Sequence, residues 1–331
     1  MSDDYLWDRS GAPDPEVERL EELLGRYRQR EPAPLSLPPA RVTFWPGWLR
    51  PLAAVAALAL LLLASLWLLR LPNDTAWEVM RLAGAPRVGS QALDGSGRLS
   101  VGDWLETDAA SKARINVGVI GEVEVEPHTR LQLVRARAND HRLALARGRL
   151  HARIWAPPRL FFVETPAALA VDLGCAYTLE VNEAGAGLLR VESGWVQLES
   201  EERESVVPTG AAAAMRPGAG PGAPFYPEAI ELFKESLMVV DFGAAEDRSG
   251  ALESLLSEAR REDSLTLLSL LSRVDAAERG RVYDRLVVLL PPPAGVTREG
   301  IVQRDQEMID LWWTRLGINP PRKWKFWTSA D

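Results

Sequence analysis

The sequence predicts an α+β multi-domain membrane protein: a short helical N-terminus, one transmembrane helix, an all-β sandwich or β-roll, and an α-helical C-terminal domain. Three observations predict it. Residues 52–69, LAAVAALALLLLASLWLL, run for 18 residues without a charge, Pro or Gly, between Arg50-Pro51 and Arg70. From about Trp77 to Glu199 apolar residues recur with a period of two, the pattern of strands with one buried face. Beyond a Pro/Gly-rich stretch at 206–227 the apolar period returns to that of helices.

The N-terminal part, residues 1–30, reads as two small helices. Ser2 or Asp3 can cap the first, Tyr5, Leu6 and Trp7 form its apolar side, and Gly11 can stop it. Asp14-Pro15 opens the second, an N-cap acceptor followed by a residue whose missing N–H is harmless at the first helical position. Val17, Leu20, Leu24 and Tyr27 then share a face with Leu23 at its edge. A hairpin this small has too little core to stand alone, so its stripe is expected to meet a protein partner. The residues expected to make that contact are Tyr5, Leu6, Trp7, Leu20, Leu23 and Leu24. Residues 1–22 carry eight acids against two arginines, which suits a basic docking surface. A solvated tail that only anchors the rest of the chain is the plainer alternative. Six prolines in residues 31–51 mark a linker.

A helix over 52–70 would match a bilayer. Eighteen residues at ~1.5 Å each give about 27 Å. The nine Leu and one Val contribute at most about −3 to −6 kcal/mol toward insertion. Phe44, Trp45, Trp48 and Trp67 sit where aromatic rings favour the headgroup zone. Five arginines lie between Arg26 and Arg50, against Arg70, Arg81 and Arg87 beyond the run, so the N-terminus is expected inside the cell and the C-terminal region outside the membrane.

The β domain is expected over residues 77–205. Ile115, Val117, Val119, Val123 and Val125 alternate across the Ile120-Gly121 turn, and the alternation returns in seven further pairs or triplets as far as Val196/Leu198. Short strands punctuated by glycine suggest an antiparallel sandwich or β-roll. There is an internal repeat. Around Gly148 and Gly194, apolar residues stand five and three places before the glycine and two and four after it: Leu143, Leu145, Leu150 and Ala152, against Leu189, Val191, Val196 and Leu198. Upstream of each lies a matching phrase, LETDA at 105–109 and VETPA at 163–167, so two stacked layers of related build are expected.

Gly102-Asp103, LETD at 105–108, the Gly121 turn, LARGRL at 145–150, VETPAALAVDLG at 163–174, YTLEV at 177–181 and VESGWVQL at 191–198 together resemble the FecR domain, over roughly residues 77–205. The resemblance implies a single-pass regulator of the bacterial inner membrane. A periplasmic β domain would receive a signal, and a cytoplasmic N-terminus would bind an extracytoplasmic-function sigma factor as an anti-sigma factor. Two departures stand out. Residues 1–50 hold no His or Cys, so the zinc-type anti-sigma motif is absent, and a large C-terminal addition follows the β domain.

That addition reads as a linker at 206–227, a helical domain at 228–318 and a basic/aromatic tail at 319–331. Ile230, Phe233 and Leu237 share a face, then Leu252, Leu255, Leu256 and Ala259. Ser264 can start the next helix. Asp275 with Glu278 makes a capping-box-like start for Val282, Leu286 and Leu289, and Thr297 caps a last helix ending before Gly317. The tail Arg322-Lys323-Trp324-Lys325-Phe326-Trp327 could lie on lipid or wall polymer, or pack a Trp on the helices.

No catalytic constellation, cofactor site or metal site emerges, and the chain is not expected to be an enzyme. His128, His141 and His151 are scattered in the β part, with His151 expected to face solvent. Cys175 and Ser193-Gly194 have no evident base beside them in a recognisable nucleophile motif. Asp241-Phe242-Gly243 lacks the loops of a kinase. Glu122, Glu124 and Glu126 alternate on one strand as a solvated face or a cation site. A net charge of −8 argues against direct nucleic-acid binding, and one cysteine excludes a disulfide framework within the chain. The expected partners are the lipid bilayer, a sigma factor inside and an envelope protein or cell-wall polymer outside. A second reading is an envelope structural or wall-binding protein anchored by its N-terminal span.

Overall fold

The computed structural model describes residues 19, 24 and 76–317. Seventeen strands come first: β1 (Ala76–Ala83), β2 (Arg87–Val88), β3 (Gln91–Ala92), β4 (Ser96–Ser100), β5 (Trp104–Glu106), β6 (Lys112–Val117), β7 (Gly121–Val125), β8 (Arg130–Arg137), β9 (Asp140–Ile154), β10 (Phe161–Glu164), β11 (Leu169–Asp172), β12 (Ala176–Val181), β13 (Gly187–Ser193), β14 (Trp195–Glu199), β15 (Glu204–Pro208), β16 (Ala212–Arg216) and β17 (Gly220–Pro221). They pair into two layers. The first runs β4-β1-β6-β7-β9-β12-β13-β16-β17. The second runs β3-β2-β5-β8-β9-β10-β11-β14-β15, antiparallel except for β9 with β10.

β9 belongs to both layers. Its first half pairs β8 and β10 and its second half β7 and β12, and the switch falls at Gly148. At such a corner the inward face must change sides. One extra residue there converts the run Leu143/Leu145 into Leu150/Ala152, and all four are buried. Gly194 does the same between β13 and β14, with Leu189 and Val191 buried before it and Val196 and Leu198 after. Both glycines have positive φ, 94° and 75°. A Cβ on Gly148 would stand 2.4 Å from Thr129 Cα, and one on Gly194 2.3 Å from the Gly174 carbonyl. The repeat in the sequence is thus the mark of two sheet corners.

The matching Glu-Thr phrases supply turn bonds that are at least partly buried. Thr107 Oγ1 donates to Glu126 O at 2.6 Å and accepts from Thr129 N at 2.9 Å. Thr165 Oγ1 donates to Ala168 O at 2.7 Å and accepts from Ala168 N at 3.0 Å.

The strands do not stop at residue 205. β15, β16 and β17 occupy the stretch expected as a linker, and Gly220 to Phe225 are all buried. The Pro and Gly there serve close packing instead of freedom. Pro221 lies on a two-residue edge strand, where its missing N–H costs no ladder bond. A Cβ on Gly222 would come 2.7 Å from Asp241 Oδ2.

The helical part follows: α1 (Glu231–Phe242), α2 (Ala245–Glu258), a 3₁₀ turn (Arg261–Asp263), α3 (Ser264–Leu270), α4 (Ala276–Leu289), α5 (Arg298–Val302) and α6 (Gln306–Arg315). Asp275 caps α4 by accepting from Glu278 N at 2.9 Å. Thr297 caps α5 at Gly300 N, 3.1 Å. The single last helix expected from Thr297 is broken, because Arg304 adopts φ 64° and Asp305 caps a new helix. Phe233, Leu237, Leu252, Leu255, Leu256 and Ala259 are buried as the period implies, whereas Ile230 is partly exposed.

The expected membrane-protein fold class is corrected accordingly. The described residues form a mostly β structure with a helical C-terminal part, and no helix among them is long and apolar enough to cross a membrane. The longest are α2 and α4 at 14 residues, about 21 Å, and both carry charges. The run at 52–70 lies outside the described residues, as do the expected N-terminal helices apart from Arg19 and Leu24.

Candidate functional site

Of the residues expected to contact a partner, Leu24 is described. It is helical and 59% exposed, and Arg19 is helical and exposed as well. Tyr5, Leu6, Trp7, Leu20 and Leu23 lie outside the described residues.

In the larger unit, the polar groups that are buried are the ones with chemical potential. β11 ends on Asp172, 1% exposed, inside the core. Its Oδ1 accepts from Gly174 N at 2.7 Å and its Oδ2 from the Cys175 thiol at 2.6 Å. Cys175 therefore does have a carboxylate beside it, contrary to expectation. Burial pushes the Asp172 carboxyl up to about 6 and the thiol also upward. A thiol held protonated in this way is a poor nucleophile. The Tyr177 hydroxyl lies in the same interior with no hydrogen-bond partner, and burial raises it too. Nothing in the sequence around Asp172 distinguishes it from a strand-end turn residue, so spacing alone could not have found this cluster.

A second buried group sits where helices meet strands. Arg273 donates from Nη1 to Pro221 O and from Nη2 to Glu204 O, both at 2.7 Å, and its Nη1 stands 3.8 Å from Asp241 Oδ1. Asp241 Oδ2 accepts from Ala223 N at 2.8 Å. Burial pushes the Asp241 carboxyl up against the pull of Arg273. The Asp241-Phe242-Gly243 tripeptide thus closes a seam. Leu265 of α3 packs into the β core, while Ala212 and Phe225 join the helical core.

The outer face of the first sheet is a charge ladder. Lys112–Glu126 at 2.7 Å, Arg114–Glu124 at 2.6 Å, Arg153–Glu122 at 3.3 Å and Arg149–Glu180 at 2.8 Å run across it. The three glutamates expected as a solvated face or cation site each face a cation of the chain itself. His151, expected to face solvent, is largely covered and lies 3.3 Å from Thr178 Oγ1 and 3.2 Å from Glu192 Oε1. His141 is buried with its ring 5.9 Å from that of Trp77, and His128 is exposed with φ 58°. Among the described residues no group of three or more His, Cys, Asp or Glu could hold a metal ion. Between this sheet and α1 lies an open groove of about 390 Å³, lined by apolar residues such as Leu188, Phe225 and Met238 together with Arg190, Lys234, Glu231 and Glu235.

No family model matches the chain, and no curated protein matches it. Two crystal structures described as "a putative anti-sigma factor from Parabacteroides distasonis", at 1.65 and 2.50 Å resolution, are similar at 13% identity with a TM-score of 0.32. Each match covers 35% of this chain and 56% of that one, so it spans about half the other protein's length. A likeness that slight carries no function across.

Proposed function

We propose that this chain is a FecR-like anti-sigma regulator that works through protein contact, not catalysis, at the bacterial cytoplasmic membrane. Its N-terminal residues 1–30 bind a sigma factor inside the cell. Its β and helical parts form the receiving module. The observation that carries the reading is the exposed helical Leu24, which belongs to the Val17, Leu20, Leu24, Tyr27 stripe. A leucine left 59% open to water on such a stripe is what a partner would cover. The phrases resembling the FecR domain support the outer half, since LARGRL and VESGWVQL each run into or across a sheet corner. The uncharged run at 52–69 and the arginines before it support the location. A cysteine locked as a donor to a buried carboxylate supports a role without covalent chemistry.

The test is co-purification of the full-length chain, in detergent, with extracytoplasmic-function sigma factors co-expressed in the same host. The expected result is capture by the unaltered chain and loss of capture in a Leu20→Asp, Leu24→Asp double variant. Equal capture by both, or capture by neither, contradicts the reading.

A further inference from the structure

Three of the large apolar side chains left exposed in the described residues gather at one end of the first sheet, and the strand register places them there. The chain enters this sheet at Ala76. Its strand β1 is flanked by β4 and β6, with Ala76 opposite Ser100 and Glu78 opposite Asn116. The turns after those two neighbours therefore stand on either side of the entry point. One carries Val101, 46% exposed, and the other Val119, 89% exposed. β9, which pairs with β7 at this end through Ile154 opposite Gly121, continues into Trp155, 65% exposed.

Trp155 is tied to the hairpin tip twice. Its backbone N–H donates to Ile120 O at 3.0 Å, and its indole Nε1 donates to Val119 O at 2.8 Å. With both donors satisfied inside the chain, the ring presents apolar surface and has no polar handle left for water. Exposed Pro157 and Pro158 follow after buried Ala156. The outer face of the same sheet is the charge ladder, so the apolar patch is confined to its end. Six residues, 70–75, separate Ala76 from Leu69, the last residue of the uncharged run, and seven residue steps reach at most about 25 Å.

We infer that this end of the β part rests on a lipid surface, with Val119 and Trp155 entering the headgroup zone. Aliphatic and aromatic side chains whose polar groups are already bonded are favoured at that depth. A tip fixed by two hydrogen bonds loses little conformational entropy on contact. The inference rests on the membrane location proposed above, and its test separates the two.

The full-length chain is reconstituted into vesicles of phosphatidylethanolamine and phosphatidylglycerol. An environment-sensitive fluorophore is placed at Val119→Cys, or at Val288→Cys on α4, where the native side chain is 73% exposed. Buried Cys175 in the unaltered chain gives the labelling background. The expected result is a blue-shifted Val119 probe, quenched severalfold more strongly than the Val288 probe by lipids spin-labelled near the headgroup. Adding Trp155→Ala should weaken that quenching without changing flotation. Flotation with equal quenching at the two sites overturns the inference and leaves the membrane location standing. A shielded Val119 probe that lipid does not quench overturns it in favour of a protein neighbour or a second copy. A chain that does not float overturns both.

Discussion

The two-layer β part and the helical part satisfy their buried backbone in opposite ways. In the β part, ladders do nearly all the work, and the corners depend on glycines and threonines that let two segments approach closely. In the helical part, arginines collect the carbonyls that helix ends leave over. Arg279 donates to Leu271 O, Val274 O and Val302 O at 2.6 to 2.7 Å. Arg285 reaches Ala259 O beyond the end of α2 at 2.5 Å, and Arg304 reaches Ser272 O. Short helices have many free ends, and a planar guanidinium with five donors suits several carbonyls at once. The contrast teaches that the β part fails when atoms are added and the helical part when a charge is removed.

Gly148→Ala breaks the contrast most severely. Positive φ and a backbone contact at 2.4 Å together should cost about 3–6 kcal/mol. Gly89→Ala, with positive φ but open space around it, should cost only about 1 kcal/mol. Urea unfolding of both variants checks the difference. Arg273→Met tests the seam. It removes both carbonyl contacts and takes the nearest cation from buried Asp241, for an expected loss of about 3–5 kcal/mol. Tryptophan fluorescence and far-ultraviolet circular dichroism should then show both parts weakened together, and loss of the helical signal alone would show that the seam does not couple them.

A smaller effect comes from Asp172. Its carboxyl titrates near 6 when folded and near 4 when unfolded, so the folded chain holds a proton that the unfolded chain gives up. The stability contributed by the neutral acid is complete below about pH 4 and lost as pH rises through 6, about 3 kcal/mol in all. Asp172→Asn should remove that slope, as the difference in unfolding free energy between the two proteins at pH 4 and pH 7 would show. Smallest of all is Trp155→Ala. A side chain 65% exposed should alter stability by less than about 1 kcal/mol, which leaves its role at the sheet end to be read by quenching.

Legibility in the sequence followed the same division. The repeat about Gly148 and Gly194 was legible as a repeat, but that each copy is a sheet corner was not. Alternating apolar residues marked the strands, because a buried face imposes its period on the chain. The α2 and α4 stripes and the Asp275 cap were legible for the same reason. The stretch 206–227 was not, since Pro and Gly signal a flexible linker and a tightly packed seam alike. The break at Arg304 was hidden because Thr297 is a good cap for a helix of any length. Asp172 and Cys175 are three residues apart, but only the turn at Gly174 between β11 and β12, with φ 87°, brings both inward. Of the candidate partner face, only Leu24 is described, and it is exposed.

The proposed function requires that the N-terminal stripe capture a sigma factor. It is tested most directly by a sigma-dependent transcriptional reporter in cells that produce the full-length chain. The unaltered chain should change reporter output, and the Leu20→Asp, Leu24→Asp variant, made in equal amount, should not. Identical output from the two would contradict it.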